Sequence, residues 1–191
     1  MTSVTIFGSG NMGTAIAGVL TAGGADVEHI GSTDTDATVS GDIVILAVPY
    51  PALAAIAAAY GPQLAGKTVV DITNPLNFDT FDSLTVPADS SAAAELAAAL
   101  PSSNVLKAFN TTFAATLGAK AVGPNTTTVL IAGDDADAKT ALAAAISAGG
   151  VDAVDAGSLR RARELEAIGF LQLTLAAGEK IGWTGGFGIV R

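Results

Sequence analysis

Residues 3–24 read SVTIFGSGNMGTAIAGVLTAGG, and this stretch decides the fold. The β-branched and aromatic run Val4 to Phe7 meets Gly8, and after Gly13 the apolar residues follow helical spacing. Gly8, Gly10 and Gly13 fit the pattern G-x-G-x-x-G, which joins a strand to a helix whose first amides bind a pyrophosphate. The alternative, in a chain with 22 glycines, is an ordinary glycine turn. The strand and helix on either side favour a dinucleotide site.

Length and composition bound the class of protein. The 191 residues suffice for one domain with a real core, and the longest apolar run, residues 52–60, is too short to cross a bilayer. No charged and apolar leader precedes Val4, so we expect a soluble, cytoplasmic protein. The chain has no cysteine and a single histidine, His29, in a predicted strand. We therefore expect no metal site and no thiol chemistry.

The charge of the chain indicates its partners. A net charge of −9 argues against nucleic acid and against an anionic membrane surface. The first basic side chain is Lys67, after several aspartates and a glutamate. A phosphate bound by the N-terminal half would therefore depend on backbone amides and hydroxyl groups.

The end of the second predicted strand, residues 25–30, is where such folds distinguish NAD from NADP. Ser32 and Thr33 follow it, and these small hydroxyl residues leave room for a phosphate and favour NADP(H). Asp34 comes slightly later than the usual acidic residue. If its carboxylate reaches back to the strand, the cofactor would be NAD(H).

The apolar run at residues 43–48 predicts a central parallel strand, preceded by a polar loop at residues 35–41. The carboxyl end of such a strand borders the dinucleotide, which nominates Ala47, Val48, Pro49 and Tyr50. Tyr50 could equally be a packing aromatic. A helix is predicted from residue 51 to residue 60, ended by Gly61 and Pro62.

Two polar loops follow the next two predicted strands, residues 67–72 and 104–109. The first contains Asn74 and Pro75, and the second begins at Asn110. Together they could form the floor for a nicotinamide ring, with Asn74 and Asn110 orienting it, or they could simply make turns. Hydride transfer between flat rings needs positioning more than acid or base catalysis, so a chain with one histidine is compatible with it.

The rest of the chain continues the alternation of strands and helices. We predict a strand at residues 126–132, a helix at 136–148, a short strand at 151–154, a helix from 158 to about 180 and a last strand in the tail. The charged cluster at the start of the long helix is interpreted as a solvated, salt-bridged first turn, with a ligand role as the alternative; it comprises Arg160, Arg161, Arg163, Glu164 and Glu166. The apolar stripe of that helix suggests a homodimer or packing on the sheet; it comprises Leu165, Ile168, Phe170, Leu171, Leu173 and Leu175.

These elements predict an α/β fold, a Rossmann-like doubly wound and mostly parallel sheet with a short C-terminal helix-and-strand extension. We expect a dinucleotide-binding domain at residues 1–150 and an extension packing against it at residues 151–191.

Several stretches, in order along nearly the whole chain, resemble the family of coenzyme F420-dependent NADP reductases and related dinucleotide-binding oxidoreductases. The stretches are TIFGSGNMG (5–13), VVDITNP (69–75), KAFNT (107–111), AGDD (132–135), DAGSL (155–159), ARELE (162–166) and GW (182–183).

The resemblance implies an NADP-dependent oxidoreductase that passes hydride between nicotinamide and a small-molecule redox acceptor. In the best known members the acceptor is a deazaflavin, and some relatives reduce metal ions. The residues it assigns are Ser9, Gly10, Asn11 and Met12 to the pyrophosphate, Ser32 and Thr33 to the adenosine ribose and its phosphate, Val48 and Pro49 to the middle of the cofactor, and Asn74, Pro75 and Ala114 to the nicotinamide.

Two alternatives stay open at this point. Imine and hydroxyacid reductases can also begin with Gly-x-Gly-x-Met-Gly. A sensor that binds a dinucleotide without reacting it would carry the same opening motif.

Overall fold

The computed structural model describes residues 2–34 and 36–190, so predictions for Thr35 and Arg191 lie outside the described residues. The strands are β1 Ser3–Phe7, β2 Asp26–Ile30, β3 Ile43–Leu46, β4 Thr68–Asp71, β5 Asn104–Lys107, β6 Ala121–Val122, β7 Asn125–Thr126, β8 Thr128–Gly133 and β9 Asp152–Gly157. The helices are α1 Asn11–Ala22, α2 Leu53–Leu64, α3 Ala92–Ala99, α4 Ala114–Ala119, α5 Ala136–Ala148 and α6 Ala162–Ala177.

Seven strands form one sheet in the order β2-β1-β3-β4-β5-β8-β9. Neighbouring strands are parallel except β5 and β8, which are antiparallel. The chain leaves β1 on one side to form β2 and returns on the other side as β3, so the winding direction changes beside β1. The predicted α/β doubly wound, mostly parallel fold is confirmed.

The central strands of the sheet are buried on both faces, because their successive apolar side chains point to opposite sides. In β3, Ile43 and Ile45 belong to the core cluster that includes α1 and α5 residues. Val44 and Leu46 belong to the second cluster, which includes α2 and α3 residues. Helices therefore cover both faces, and the carboxyl ends of β1 to β5 share one edge.

Helix α2 differs from its prediction. It continues through Gly61 and Pro62 to Leu64, so the predicted end at Gly61 is wrong. Leu64 is fully buried in the second cluster, and its carbonyl accepts a hydrogen bond of 2.8 Å from Ser103 Oγ. These tertiary contacts keep the last turn helical although Pro62 lacks an amide hydrogen.

The C-terminal part also differs in detail. Strand β9 pairs with β8 and so extends the main sheet. Helix α6 begins at Ala162, after a 3-10 turn at Leu159–Arg161, and ends at Ala177. The described tail residues 182–190 form no strand, so the predicted last strand is wrong. Four glycines there, at 182, 185, 186 and 188, disfavour a strand.

Two short elements were not predicted: helix α4 and the hairpin of β6 and β7. Among the described residues, no helix combines the length and the apolar character needed to cross a membrane.

Candidate functional site

The glycine-rich turn between β1 and α1 lies where the winding of the sheet reverses. Gly8 has φ +101°, and its amide donates to the Ile30 carbonyl oxygen at 2.9 Å. A Cβ at Gly8 would overlap the carbonyl oxygen of Ala47, which follows β3. Only glycine therefore meets both the backbone conformation and the close approach of β3.

Gly10 is the N-cap of α1, and no side chain caps this helix. The first turn of α1 contains no acidic residue either. Gly10 has φ −71°, which any residue adopts, and a Cβ there would find no atom within 4 Å. Neither the backbone nor the packing of the protein requires glycine at this position. The space instead stands open beside the uncapped amides of α1, which carry the positive end of the helix dipole.

A cavity of about 660 Å3 lies at the carboxyl ends of β1, β2 and β3, against α2. This is the topological switch point at which open α/β sheets bind ligands. The predicted residues that line it are Gly8, Ser9, Gly10, Ser32, Ala47, Val48 and Pro49. Thr33 is exposed next to Ser32 but does not line the cavity. Asp34, the acidic residue that the sequence offered as an alternative, also lines it, and so do Gly31, Ile56 and Tyr60, which were not predicted.

Asp34 folds back towards the tip of β2. Its Oδ2 accepts a hydrogen bond from the Gly31 amide at 2.8 Å, and its carbonyl oxygen accepts one from the Tyr60 hydroxyl at 2.8 Å. Of the described residues that line this cavity, Asp34 is the only charged one. The carboxylate thus reaches back to the tip of the strand, as the NAD(H) alternative requires, and its negative charge lies beside Ser32, where the two nicotinamide cofactors differ.

Tyr50 lies elsewhere. Its hydroxyl donates to Glu95 Oε2 at 2.6 Å, and this hydrogen bond, with burial, raises the pKa of Tyr50 to about 12. It lines a separate cavity of about 200 Å3 between α2 and α3. The structure therefore does not bring Tyr50 to the cavity at the glycine-rich turn.

A second cavity, of about 390 Å3, lies on the other side of the same turn, at the ends of β4 and β5. The predicted residues that line it are Asn11, Met12, Asn74, Asn110 and Ala114. Pro75 is buried, and neither it nor the buried Gly13 lines either cavity. The glycine-rich turn therefore lies between two cavities: Gly10 lines the one of about 660 Å3, and Asn11 lines the one of about 390 Å3.

Asn74 and Asn110 are hydrogen-bonded to each other. Asn74 Nδ2 donates to the Asn110 carbonyl oxygen at 2.8 Å, and Asn110 Nδ2 donates to Asn74 Oδ1 at 2.9 Å. Asn110 Nδ2 also donates to the Leu165 carbonyl oxygen in α6 at 2.9 Å. Asn110 Oδ1 is buried and finds no partner among the described residues. The pair joins both polar loops to α6 and leaves one acceptor unused.

Two aromatic rings at the second cavity were missed by the sequence analysis. Phe113 and Trp183 have ring centroids 5.1 Å apart, at 50° to each other, and both line the cavity. Trp183 is 53% exposed, so it stands at the opening. Its place in a glycine-rich tail gave no sign of this contact.

The charged start of α6 divides into two parts. Arg161 and Glu164 form an exposed ion pair at 3.3 Å, as a solvated first turn predicts. Glu166, in contrast, is fully buried and lies 2.8 Å from Lys107 Nζ. The sequence carried one signal of a buried ion pair: Asp71 and Lys107, of opposite charge, lie within the otherwise apolar stretches 69–72 and 105–109.

The chain is similar to several known proteins. Residues 25–75 match the family model described as NADP oxidoreductase, coenzyme F420-dependent. The chain is 34% identical over 149 residues to the F420-dependent NADP reductase of Methanocaldococcus jannaschii, which covers 76% of this chain and 66% of that protein. It is 36% identical over 138 residues to the metalloreductase STEAP3 of Rattus norvegicus, covering 70% of this chain and 26% of that protein.

The chain thus spans slightly less than two thirds of the first relative and about a quarter of the second. The crystal structure of an assigned F420-dependent NADP reductase from Arthrobacter sp. FB24 superposes with a TM-score of 0.84 at 25% identity, and the two chains cover each other completely. The sheet order, the glycine-rich turn and these similarities lead to one conclusion. The chain is similar, in sequence and in fold, to F420-dependent NADP reductases.

Proposed function

We propose that the protein is an NADP(H)-dependent oxidoreductase that transfers hydride between the nicotinamide and a small redox acceptor. The observation that carries the proposal is Gly10, where the glycine satisfies no need of the protein itself and leaves open space beside the uncapped amides of α1. A pyrophosphate fits that space, because it needs both close approach to the backbone and amide donors.

The residues present fit the rest of the cofactor as well. The larger cavity, with Ser32 at the tip of β2 and Ile56 and Tyr60 on α2, would hold the adenosine half. The cavity of about 390 Å3 at the ends of β4 and β5, called the smaller cavity from here on, is lined by Asn74, Asn110 and Ala114 and would hold the nicotinamide. Asn110 lines this cavity and its buried Oδ1 is an unused acceptor, which suits the amino group of a carboxamide.

When bound, NADPH supplies a hydride from its dihydronicotinamide ring to the acceptor, which gains two electrons as the ring becomes oxidised. The contribution of the chain is to hold the ring in one orientation and to exclude water. The Asn74–Asn110 pair orients it, while Met12, Phe113 and Trp183 supply apolar walls. The names of the relatives support a reductase, and a small redox molecule is the acceptor that we propose.

We also propose that residues 1–150 form the dinucleotide-binding unit and residues 151–191 an extension. Strand β9 of the extension continues the sheet, and α6 provides one wall of the smaller cavity through Leu173. The exposed Ile168 and Leu171 on α6 make this helix the candidate contact of a homodimer.

The test is a calorimetric titration of NADPH and NADH into the protein and into two matched variants. Gly10→Ala places a methyl group in the open space, and we expect NADPH affinity to fall at least about tenfold, or about 1.4 kcal/mol, through lost contact with the pyrophosphate. Gly18→Ala adds the same methyl group to an open position on the same helix, and it should leave the affinity unchanged.

Unchanged binding by Gly10→Ala, or no binding by the unaltered protein, would refute the dinucleotide site. A second measurement separates the enzyme from a sensor. NADPH absorbance is followed with a deazaflavin, flavins, quinones and ferric chelates as acceptors. Tight binding without oxidation by any of them would indicate a sensor.

A further inference from the structure

One charged residue from β4 and one from β5 are paired inside the sheet. Asp71 and Lys107 are register partners in the parallel pair, and both are fully buried. Lys107 Nζ lies 2.8 Å from Asp71 Oδ2. Asp71 Oδ1 accepts the Thr73 amide at 2.7 Å, which shapes the loop that begins after β4.

Glu166 of α6 completes a triad with this pair. Its Oε1 lies 2.8 Å from Lys107 Nζ, and its two oxygens accept the amides of Ala92 and Ala93 at 3.0 and 3.3 Å. These amides open α3, so the helix dipole offsets part of the excess negative charge. Burial raises the pKa of Glu166, while Lys107 acts in the opposite direction.

Stability alone is a weak reason for such a triad. Apolar residues of similar volume stabilise a core as well as a buried ion pair does, or better, because charges are costly to dehydrate. The position of the triad suggests a different purpose. Lys107 Nζ also donates to the Thr73 carbonyl oxygen at 2.5 Å, directly before Asn74.

The loop after β4, the loop after β5 and helix α6 also hold the Asn74–Asn110 pair, which lines the smaller cavity. Asn74 follows Asp71 in the first loop, Asn110 follows Lys107 in the second, and the acceptor of Asn110 Nδ2 is the carbonyl of Leu165, next to Glu166. The ionic layer and the amide layer therefore join the same two loops to the same helix.

We infer that Lys107 is a positioning residue, and that its triad with Asp71 and Glu166 fixes the Asn74–Asn110 pair in the orientation that the nicotinamide ring requires. The inference rests on the proposed function. Lys107 is fully buried and all three of its donors are engaged, so it acts on the ring through the loops it holds.

The test compares Glu166→Gln and Lys107→Met with Lys139→Met. Glu166→Gln keeps the shape of the side chain and removes one charge of the triad. Lys139→Met removes an ion pair with Asp155 of the same length, 2.8 Å, on α5 and β9, away from both cavities. Three quantities are measured. The first is the affinity for 2′,5′-ADP, which reports on the adenine half, and the second is kcat with NADPH and an acceptor from the absorbance panel. The third is hydrogen exchange of the Asn74 and Asn110 side-chain amides, followed by NMR without cofactor.

For Glu166→Gln we expect 2′,5′-ADP affinity within twofold, amide exchange at least about tenfold faster and kcat at least about tenfold lower. Lys107→Met should exceed these effects where it folds, and Lys139→Met should show none of them. Amide exchange and kcat that match the unaltered protein in Glu166→Gln would overturn the inference, and so would equal loss of 2′,5′-ADP affinity and of kcat. If the unaltered protein does not oxidise NADPH, the proposed function fails while amide exchange still decides the inference.

Discussion

Gly169 of α6 lies so close to Asn74 that a Cβ on the glycine would overlap Asn74 Oδ1 and lie 2.8 Å from the Asn110 carbonyl oxygen. Gly169→Ala should therefore destabilise the protein by about 1–3 kcal/mol through overpacking, although alanine is the better helix former. Urea unfolding measures the change. Gly18→Ala, with open space around it, is the control and should gain up to about 1 kcal/mol. Equal stability of the two variants would contradict the contact.

Asn74 and Asn110 should matter more for turnover than for binding of the adenine half. With both changed to alanine, we expect kcat to fall about 100-fold, because a misplaced ring reacts slowly, while 2′,5′-ADP affinity stays within threefold. Steady-state kinetics and calorimetry give the two values. Asn104→Ala, at the exposed start of β5, is the control. Parallel losses of both quantities would mean that the pair has only a structural role.

Asp34 should limit the preference for NADP(H). Asp34→Asn keeps an acceptor for the Gly31 amide and removes the charge beside Ser32. The charge lies where a 2′-phosphate would bind, so we expect the ratio of NADPH to NADH affinity to rise about 5- to 50-fold, that is by about 1 to 2 kcal/mol. Asp26→Asn, at the opposite end of β2, should leave that ratio unchanged. An unchanged ratio in Asp34→Asn would show that the carboxylate points away from the ligand, and a ratio that falls would reverse the assigned effect of the charge.

Glu28 should contribute stability that depends on pH. Hydrogen bonds from Ser40 Oγ at 2.7 Å and Thr5 Oγ1 at 2.6 Å lower the pKa of Glu28 below its ordinary value of 4.5. The folded state therefore favours the carboxylate, and its contribution is complete above pH 4.5 and is lost as the pH falls through the lowered pKa.

Urea unfolding at pH 7 and at pH 3 tests this sign. Glu28→Gln should be less stable than the unaltered protein at pH 7, and the difference should shrink at pH 3. Ser40→Ala should raise the pKa of Glu28 towards 4.5 in an NMR titration. A difference that grows on acidification would reverse the assignment.

The elements with a clear period were predictable from the sequence. β1, α1 and β3 follow from Val4 to Phe7, from the helical spacing after Gly13 and from the unbroken apolar run at residues 43–48. The glycine-rich turn was predictable because Gly8 and Gly13 answer local geometric requirements and Gly10 completes the spacing of the motif. The continuation of α2 past Pro62 was not, because it depends on the burial of Leu64 by distant residues.

The candidate site divides in the same way. Asn74 and Asn110 follow predicted strands, so parallel topology places them at one edge, but their mutual hydrogen bonds depend on side-chain conformation. Glu166 resembles its exposed neighbour Glu164 in sequence, and only its contact with Lys107 distinguishes the two. Tyr50 was assigned to the cofactor site because it follows β3 along the chain. Its hydroxyl instead donates to the carboxylate of Glu95, which lies on a helix that sequence alone does not position.

The Asp71–Lys107–Glu166 triad also bears on how the protein is made. The ribosome synthesises β4 and β5 before α6, so Lys107 and Asp71 are both present before their common partner Glu166 exists. A chain that ends before α6 would leave the amides at the start of α3 and the ammonium of Lys107 without the carboxylate of Glu166. The last segment to be made is therefore needed to complete a charge arrangement in the middle of the sheet.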